Sequence, residues 1–170
     1  TFFGGIYRDV WLTAVSKQHF HLTNYGSEGI FISTPKVSEE KGTILIRGDI
    51  KNDATQKALL ELEHIIYHPN GSIAQSLKQS IQIKAGEQYS FRSETSPILS
   101  PQLWTPETPH LYRVESILRD KKTKTVLDQS NHYTGFRWFS FDGERGFSLN
   151  GKPYKLRGIC RHQDQKPIGV

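Results

Sequence analysis

From Lys17 to Arg137 apolar and polar residues alternate in short runs, broken by turn residues about every 8–15 positions. A period of two places successive side chains on opposite faces of a strand, so this pattern predicts a succession of β-strands. In Thr43 to Asn52, Ile44, Ile46, Gly48 and Ile50 fall on one face and Leu45, Arg47, Asp49 and Lys51 on the other. The next run groups Leu60, Leu62 and Ile66, with His64 interrupting their face and Glu61 and Glu63 opposite. Pro69-Asn70-Gly71 then turns the chain into a run ending Ile81-Gln82-Ile83. A further strand is expected around Tyr89 to Ser93, followed by a proline-punctuated loop and the runs Leu111 to Arg119 and Thr125 to Gly135. In the first of these, Tyr112, Val114, Ser116 and Leu118 share a face. No window carries a helical period with a cap. About seven short antiparallel strands with regular turns predict an all-β, immunoglobulin-like sandwich. With no cysteine pair to staple it, the core relies on apolar burial, at roughly 25 cal/mol per Å².

Both ends point beyond this sandwich. Gly4 to Val15 begins with a glycine turn and becomes a strand rich in β-branched and aromatic residues, whose sheet is expected upstream. Near the other end, Asn150-Gly151 separates two short runs, the composition of a two-residue type I′ hairpin in which both central residues need φ > 0. Its second arm runs on to Arg161-His162, and the chain stops at Val170. Together with Thr1 at the first position and the absence of Met, this reads as a segment excised from a larger protein.

Four stretches carry a family resemblance. Gly5-Ile6-Tyr7-Arg8-Asp9-Val10 is similar to the segment closing the N-terminal sugar-binding jelly roll of family 2 glycoside hydrolases. Leu103-Trp104-Thr105-Pro106-Glu107-Thr108-Pro109-His110-Leu111-Tyr112 and Gly135-Phe136-Arg137 resemble segments of that family's central sandwich domain, where both are structural. Leu149-Asn150-Gly151-Lys152-Pro153, continuing to Leu156-Arg157-Gly158, resembles the hairpin leading into the first strand of the catalytic (β/α)₈ barrel. The resemblance divides the chain into residues 1–16, the last jelly-roll strand, residues 17–137, the sandwich, and residues 138–170, the start of a truncated barrel.

The same resemblance implies the chemistry of the parent enzyme, which would hydrolyse terminal β-glycosides with retention. Arg161-His162-Gln163-Asp164 is similar to the segment that binds sugar hydroxyls at the end of the first barrel strand, the face where barrel enzymes build active sites. His162 is thereby implied as a substrate-binding residue, and Asp164 as a second one or as a group orienting His162. Cys160 stands where the family commonly has Asn, and Gln163 where it commonly has Glu. The sugar therefore stays open: most like a β-galactosidase, with a β-glucuronidase, a β-mannosidase or a free-standing binding sandwich as alternatives. Retaining glycosidases need two carboxyl groups about 5–5.5 Å apart. After Arg137 only Asp142, Glu144 and Asp164 carry carboxylates, and Glu61 and Glu63 read as a solvated strand face. No catalytic residue and no cofactor is expected in this segment, while the resemblance allows Mg or Na in the full-length enzyme.

Composition adds mainly exclusions. The charge of +5, from 22 Lys and Arg against 17 Asp and Glu, is scattered except at Arg119 to Lys124, a charged turn, so no nucleic-acid partner is expected. No apolar run approaches the ~20 residues of a membrane-spanning helix. Cys160 is expected to be a small buried residue, and His19-x-His21 would be half of a metal site without further ligands. Asn70-Gly71-Ser72 meets a glycosylation pattern, but a hairpin already accounts for it. The expected partners are a β-glycoside and the flanking jelly-roll and barrel domains, with self-association allowed. The compartment, periplasm or cytoplasm of a bacterial-type enzyme, is left undetermined.

Overall fold

The structure is a computed structural model describing residues 9–22 and 27–160. Strands alone form its regular secondary structure among the described residues. Alternation of β-branched residues makes β3 (Lys41–Asn52) the axis of one sheet. It pairs antiparallel with β1 (Gln18–Phe20), β2 (Ile30–Val37), β6 (Gln88–Glu94) and β7 (Ile98–Leu99). Gly48 pairs with Ile30 and Phe91, and Lys51 with His19 and Gln88, so β1 and β2 share one side of β3 and β6 lies on the other. The second sheet runs β5 (Ile73–Ile83), β4 (Ala58–Tyr67), β8 (Tyr112–Asp120), β9 (Val126–Thr134), all antiparallel.

The two inner faces bury one apolar cluster. Phe20, Ile44, Ile46, Ile50 and Phe91 come from the first sheet, and Leu60, Leu62, Ile66, Val114 and Leu118 from the second. All of these except Phe20 and Phe91 are alternating positions that the sequence grouped on one face. Gly48 occupies the inner row of β3 because a Cβ there would lie 2.7 Å from the Phe91 ring. Among the described residues these two sheets hold nine strands, with β1 and β2 lying end to end along one side of β3 and β6 and β7 along the other. Within β2 the register shifts between Ser33 and Lys36, where Pro35 has no N–H to donate.

His64 does interrupt the inner face of β4. It is 1% exposed, with Nδ1 2.8 Å from the Ser116 hydroxyl oxygen and its ring 5.4 Å from that of Phe91. Its Nε2 is buried without a hydrogen-bond partner among the described residues. Burial lowers the imidazole to about 4, so it is neutral near pH 7.

The outer face of β4 corrects one expectation. Glu63 is 8% exposed rather than solvated. Arg119 Nη1 donates to its Oε2 at 2.7 Å, while Lys78 Nζ lies 3.1 Å from Oε1 and the Ser76 hydroxyl donates to Oε1 at 3.1 Å. Burial pushes the Glu63 carboxyl up, but the bonds from Lys78, Arg119 and Ser76 outweigh it and hold it below its ordinary value. The flanking long side chains close over the carboxylate because β5 and β8 both sit beside β4.

Residues 9–16 make no strand pairing among the described residues and leave Val10, Trp11 and Leu12 exposed. The expected terminal strand begins at Gly4, and its residues through Arg8 lie outside the described residues. Residues 155–160 likewise make no strand pairing among the described residues, and Cys160 is exposed, not buried as expected, because no neighbouring strand covers that stretch among the described residues.

Candidate functional site

Three of the four sequence motifs converge at one end of the sandwich. Phe136, fully buried, packs edge-on against Tyr112 at 4.8 Å, anchoring the end of the core. Its carbonyl accepts a 2.8 Å bond from the Trp104 N–H, and Leu103 bridges to it in parallel. Trp104 lies so close to Gly135 that a Cβ there would come within 2.7 Å of the Trp104 Cβ, which is why the motif begins with glycine. The Arg137 guanidinium covers the Trp104 ring at 4.5 Å from its centroid. Thr105 and Thr108 close the intervening turn: the Thr108 N–H donates to Thr105 Oγ1 at 3.0 Å, and the Thr105 N–H to the Thr108 carbonyl at 3.1 Å.

The third motif is a small antiparallel sheet of β10 (Phe139–Asp142), β11 (Gly146–Leu149) and β12 (Lys152–Pro153). Asn150 and Gly151 have φ of 51° and 75°, the two left-handed residues of the expected tight hairpin. Asn150 does more than turn the chain. Its side chain is buried, with Oδ1 accepting from the Trp138 N–H at 3.1 Å and Nδ2 donating to the Trp104 carbonyl at 3.0 Å. Its own N–H donates to the Trp138 carbonyl at 2.9 Å. Tyr154 adds an outer tie, donating to Glu107 Oε1 at 3.0 Å. That bond raises the Tyr154 hydroxyl above its ordinary value, and Glu107 is held low by its own backbone N–H and by Tyr154.

This junction presents an aromatic face. Phe139 and Phe141 lie on the same side of β10, opposite Leu149 and Phe147 of β11. The Phe141 and Phe147 rings are 5.1 Å apart, and Tyr154 meets Phe147 edge-on at 6.3 Å. Phe139, Phe141 and Leu156 remain 62%, 71% and 63% exposed. They border a depression of about 380 Å³ that reaches Trp104 and Pro106. Such a face can bind apolar matter.

The carboxylates have local tasks. Asp142 Oδ1 accepts from the Glu144 and Arg145 N–H groups and so closes the β10–β11 turn. Glu61 pairs with Lys124 at 3.0 Å, a bond that lowers its carboxyl. A second groove, about 700 Å³, runs beside Trp11, Phe20 and Asp128, where Asp128 Oδ2 accepts from the Phe20 N–H at 2.8 Å. His19 Nδ1 is 2.9 Å from the Ser16 carbonyl, and no group of three or more His, Cys, Asp or Glu side chains able to hold a metal occurs among the described residues. His162 and Asp164 lie outside the described residues, as do Arg161 and Gln163. The Asn150 clamp and the aromatic face were not anticipated, although Phe139-x-Phe141 already showed a period of two.

Known proteins place this geometry. The family model for glycosyl hydrolases family 2 matches residues 28–137. The solved β-glucuronidase 2 of Bacteroides uniformis, covalently bound to cyclophellitol-6-carboxylate aziridine, is 72% identical with a TM-score of 0.96, over 99% of this chain and 20% of that one. A β-glucuronidase of Bacteroides fragilis is 30% identical over 99% of this chain and 24% of its own length. A β-galactosidase of Bacteroides ovatus is 28% identical over 98% of this chain and 19% of its own length. The chain spans about a seventh to a quarter of the length of the relatives it matches. Matched by the family model across most of its sandwich, this chain belongs to glycosyl hydrolases family 2.

Proposed function

We propose that this chain is the central immunoglobulin-like sandwich of a retaining β-glycosidase acting on terminal β-glucuronides, together with the hairpin that opens its (β/α)₈ barrel. The carrying observation is the 72% identity over 99% of the chain to the Bacteroides uniformis β-glucuronidase 2. That enzyme's covalent adduct with a carboxylated cyclitol aziridine is what an enzymic nucleophile attacking a glucuronide-shaped ring would form, which supports retention. The sequence resemblance alone put β-galactosides first, and the 28% identity to the Bacteroides ovatus β-galactosidase keeps that as the second reading. In either case the sandwich is architectural. Its junction sets the direction in which the chain leaves the sandwich, and His162 and Asp164 serve the parent as contacts to the −1 sugar.

Aryl β-glycosides distinguish the readings on the full-length parent. A kcat/KM about 100-fold or more higher on the glucuronide than on the galactoside or mannoside is expected from a site built for a carboxylate. The reverse ranking would favour the galactoside reading, and no turnover of any would overturn both. His162→Ala in the parent is expected to lower kcat/KM by about 100-fold, since a buried polar contact to the sugar is lost, with an unchanged melting temperature.

A further inference from the structure

We propose that Asn70 is a self-modifying site: its side-chain amide is lost as ammonia through attack by the Gly71 backbone nitrogen, while the same Asn-Gly pair at 150–151 is kept intact by its clamp. Glycine carries no side chain to hinder such an attack, so both pairs start from similar intrinsic reactivity and only their surroundings differ. Asn70, Gly71 and Ser72 are exposed at the tip of the β4–β5 hairpin, and a Cβ built on Gly71 would meet nothing within 4 Å. Asn70 Oδ1 accepts from the Ser72 N–H at 3.0 Å and from the Ser72 hydroxyl at 2.7 Å. These bonds fold the carboxamide back over the Gly71 peptide and draw electron density from its carbonyl carbon. Both engage Oδ1, so the leaving nitrogen Nδ2 is tied by neither.

The step balances with water as its only co-reactant. The Gly71 nitrogen loses its proton to solvent base and bonds to Asn70 Cγ, the Cγ–Nδ2 bond breaks, and Nδ2 takes up a proton and leaves as ammonia. Water then opens the cyclic succinimide at either carbonyl, giving aspartate or isoaspartate. One bond opposes the attack: the Gly71 N–H donates to the His68 carbonyl at 2.9 Å, at an exposed turn where local opening is frequent. Asn150 is the opposite case. It is 7% exposed, with Oδ1 accepting from the Trp138 N–H and Nδ2 donating to the Trp104 carbonyl. Both bonds must break before its Cγ can react, a penalty of at least about ten-fold in rate. The product at position 70 carries a new negative charge. Its isoaspartate form adds a methylene to the backbone between Tyr67 and Ile73, the last pair of the β4–β5 register.

Ageing the unmodified full-length parent in mildly alkaline buffer tests this without any substitution. Peptide mass spectrometry follows replacement of the amide by a carboxyl at each position, and isoaspartyl methyltransferase labelling reports the isoaspartate product. In the folded parent, Asn70 is expected to convert at least ten-fold faster than Asn150. In the urea-denatured parent the two rates are expected to converge to within three-fold. A smaller ratio in the folded protein, or no conversion of Asn70, would overturn the proposal. A ten-fold preference that persisted after denaturation would overturn it too, by tracing the difference to sequence rather than to the clamp. The readout does not depend on which sugar is cleaved: a parent that fails on glucuronides yet loses the Asn70 amide first refutes the substrate assignment alone.

Discussion

At the scale of single residues, His64 is a proton-sensitive element of an otherwise apolar core. Burial lowers its imidazole from 6.5 to about 4. Between those values the unfolded chain binds a proton that the folded chain rejects, so stability falls as pH drops from 6.5 towards 4. The full difference is about 3 kcal/mol, at about 1.36 kcal/mol per pH unit. Thermal melts between pH 7 and 4 should show this loss, and the double variant His64→Leu, Ser116→Ala should flatten it by removing both hydrogen-bonding partners. An equal slope in the variant would locate the acid sensitivity elsewhere. Glu63 acts in a lower window: its carboxyl is held down, so its contribution is present above the ordinary 4.5 and is lost as pH falls further. His64 stood out in sequence because it broke an apolar row. Glu63 did not, because its partner Arg119 is 56 residues away and only strand pairing brings them together.

At the scale of elements, the same division recurs. The long strands β3, β4, β8 and β9 were legible through their runs of alternating residues, and the hairpin through Asn150-Gly151. The splitting of the edge lines was not, since a two-residue strand such as β7 is too short to show a period. Nor was the role of the Asn150 side chain, whose acceptor on Trp104 is 46 residues distant. Two substitutions separate what Asn150 contributes. Asn150→Gly keeps a residue at ease with φ of 51° but strands the half-buried Trp138 N–H and Trp104 carbonyl, a loss of at most about 2–6 kcal/mol at 1–3 kcal/mol per fully buried group. Asn150→Ala adds left-handed strain of about 1–2 kcal/mol. Amide exchange at Trp138 should accelerate in both variants, more in the second. Equal, wild-type exchange in the two would mean that the amide side chain does not hold the junction.

At the scale of the whole molecule, motifs that are scattered along the sequence meet in one place. Leu103-Trp104, Gly135-Phe136-Arg137 and Asn150-Gly151 are family markers because they build a single joint between sandwich and small sheet. The expectation for His162 and Asp164 rests on resemblance alone, and both lie outside the described residues. The joint also sets an order of assembly. A two-residue hairpin such as β11–β12 closes in about 1–10 μs. The pairings Leu45 with Glu94 and Leu62 with Leu118 join distant parts of the chain, and topologies rich in such contacts fold in roughly milliseconds to seconds. Stopped-flow refolding is therefore expected to show its main phase in that slower range, and a dominant microsecond phase would contradict it. Asn150 needs a Trp104 carbonyl that is in position only once the sandwich has closed. The hairpin consequently waits, already formed, and the direction in which the chain leaves the sandwich is among the last things that folding decides.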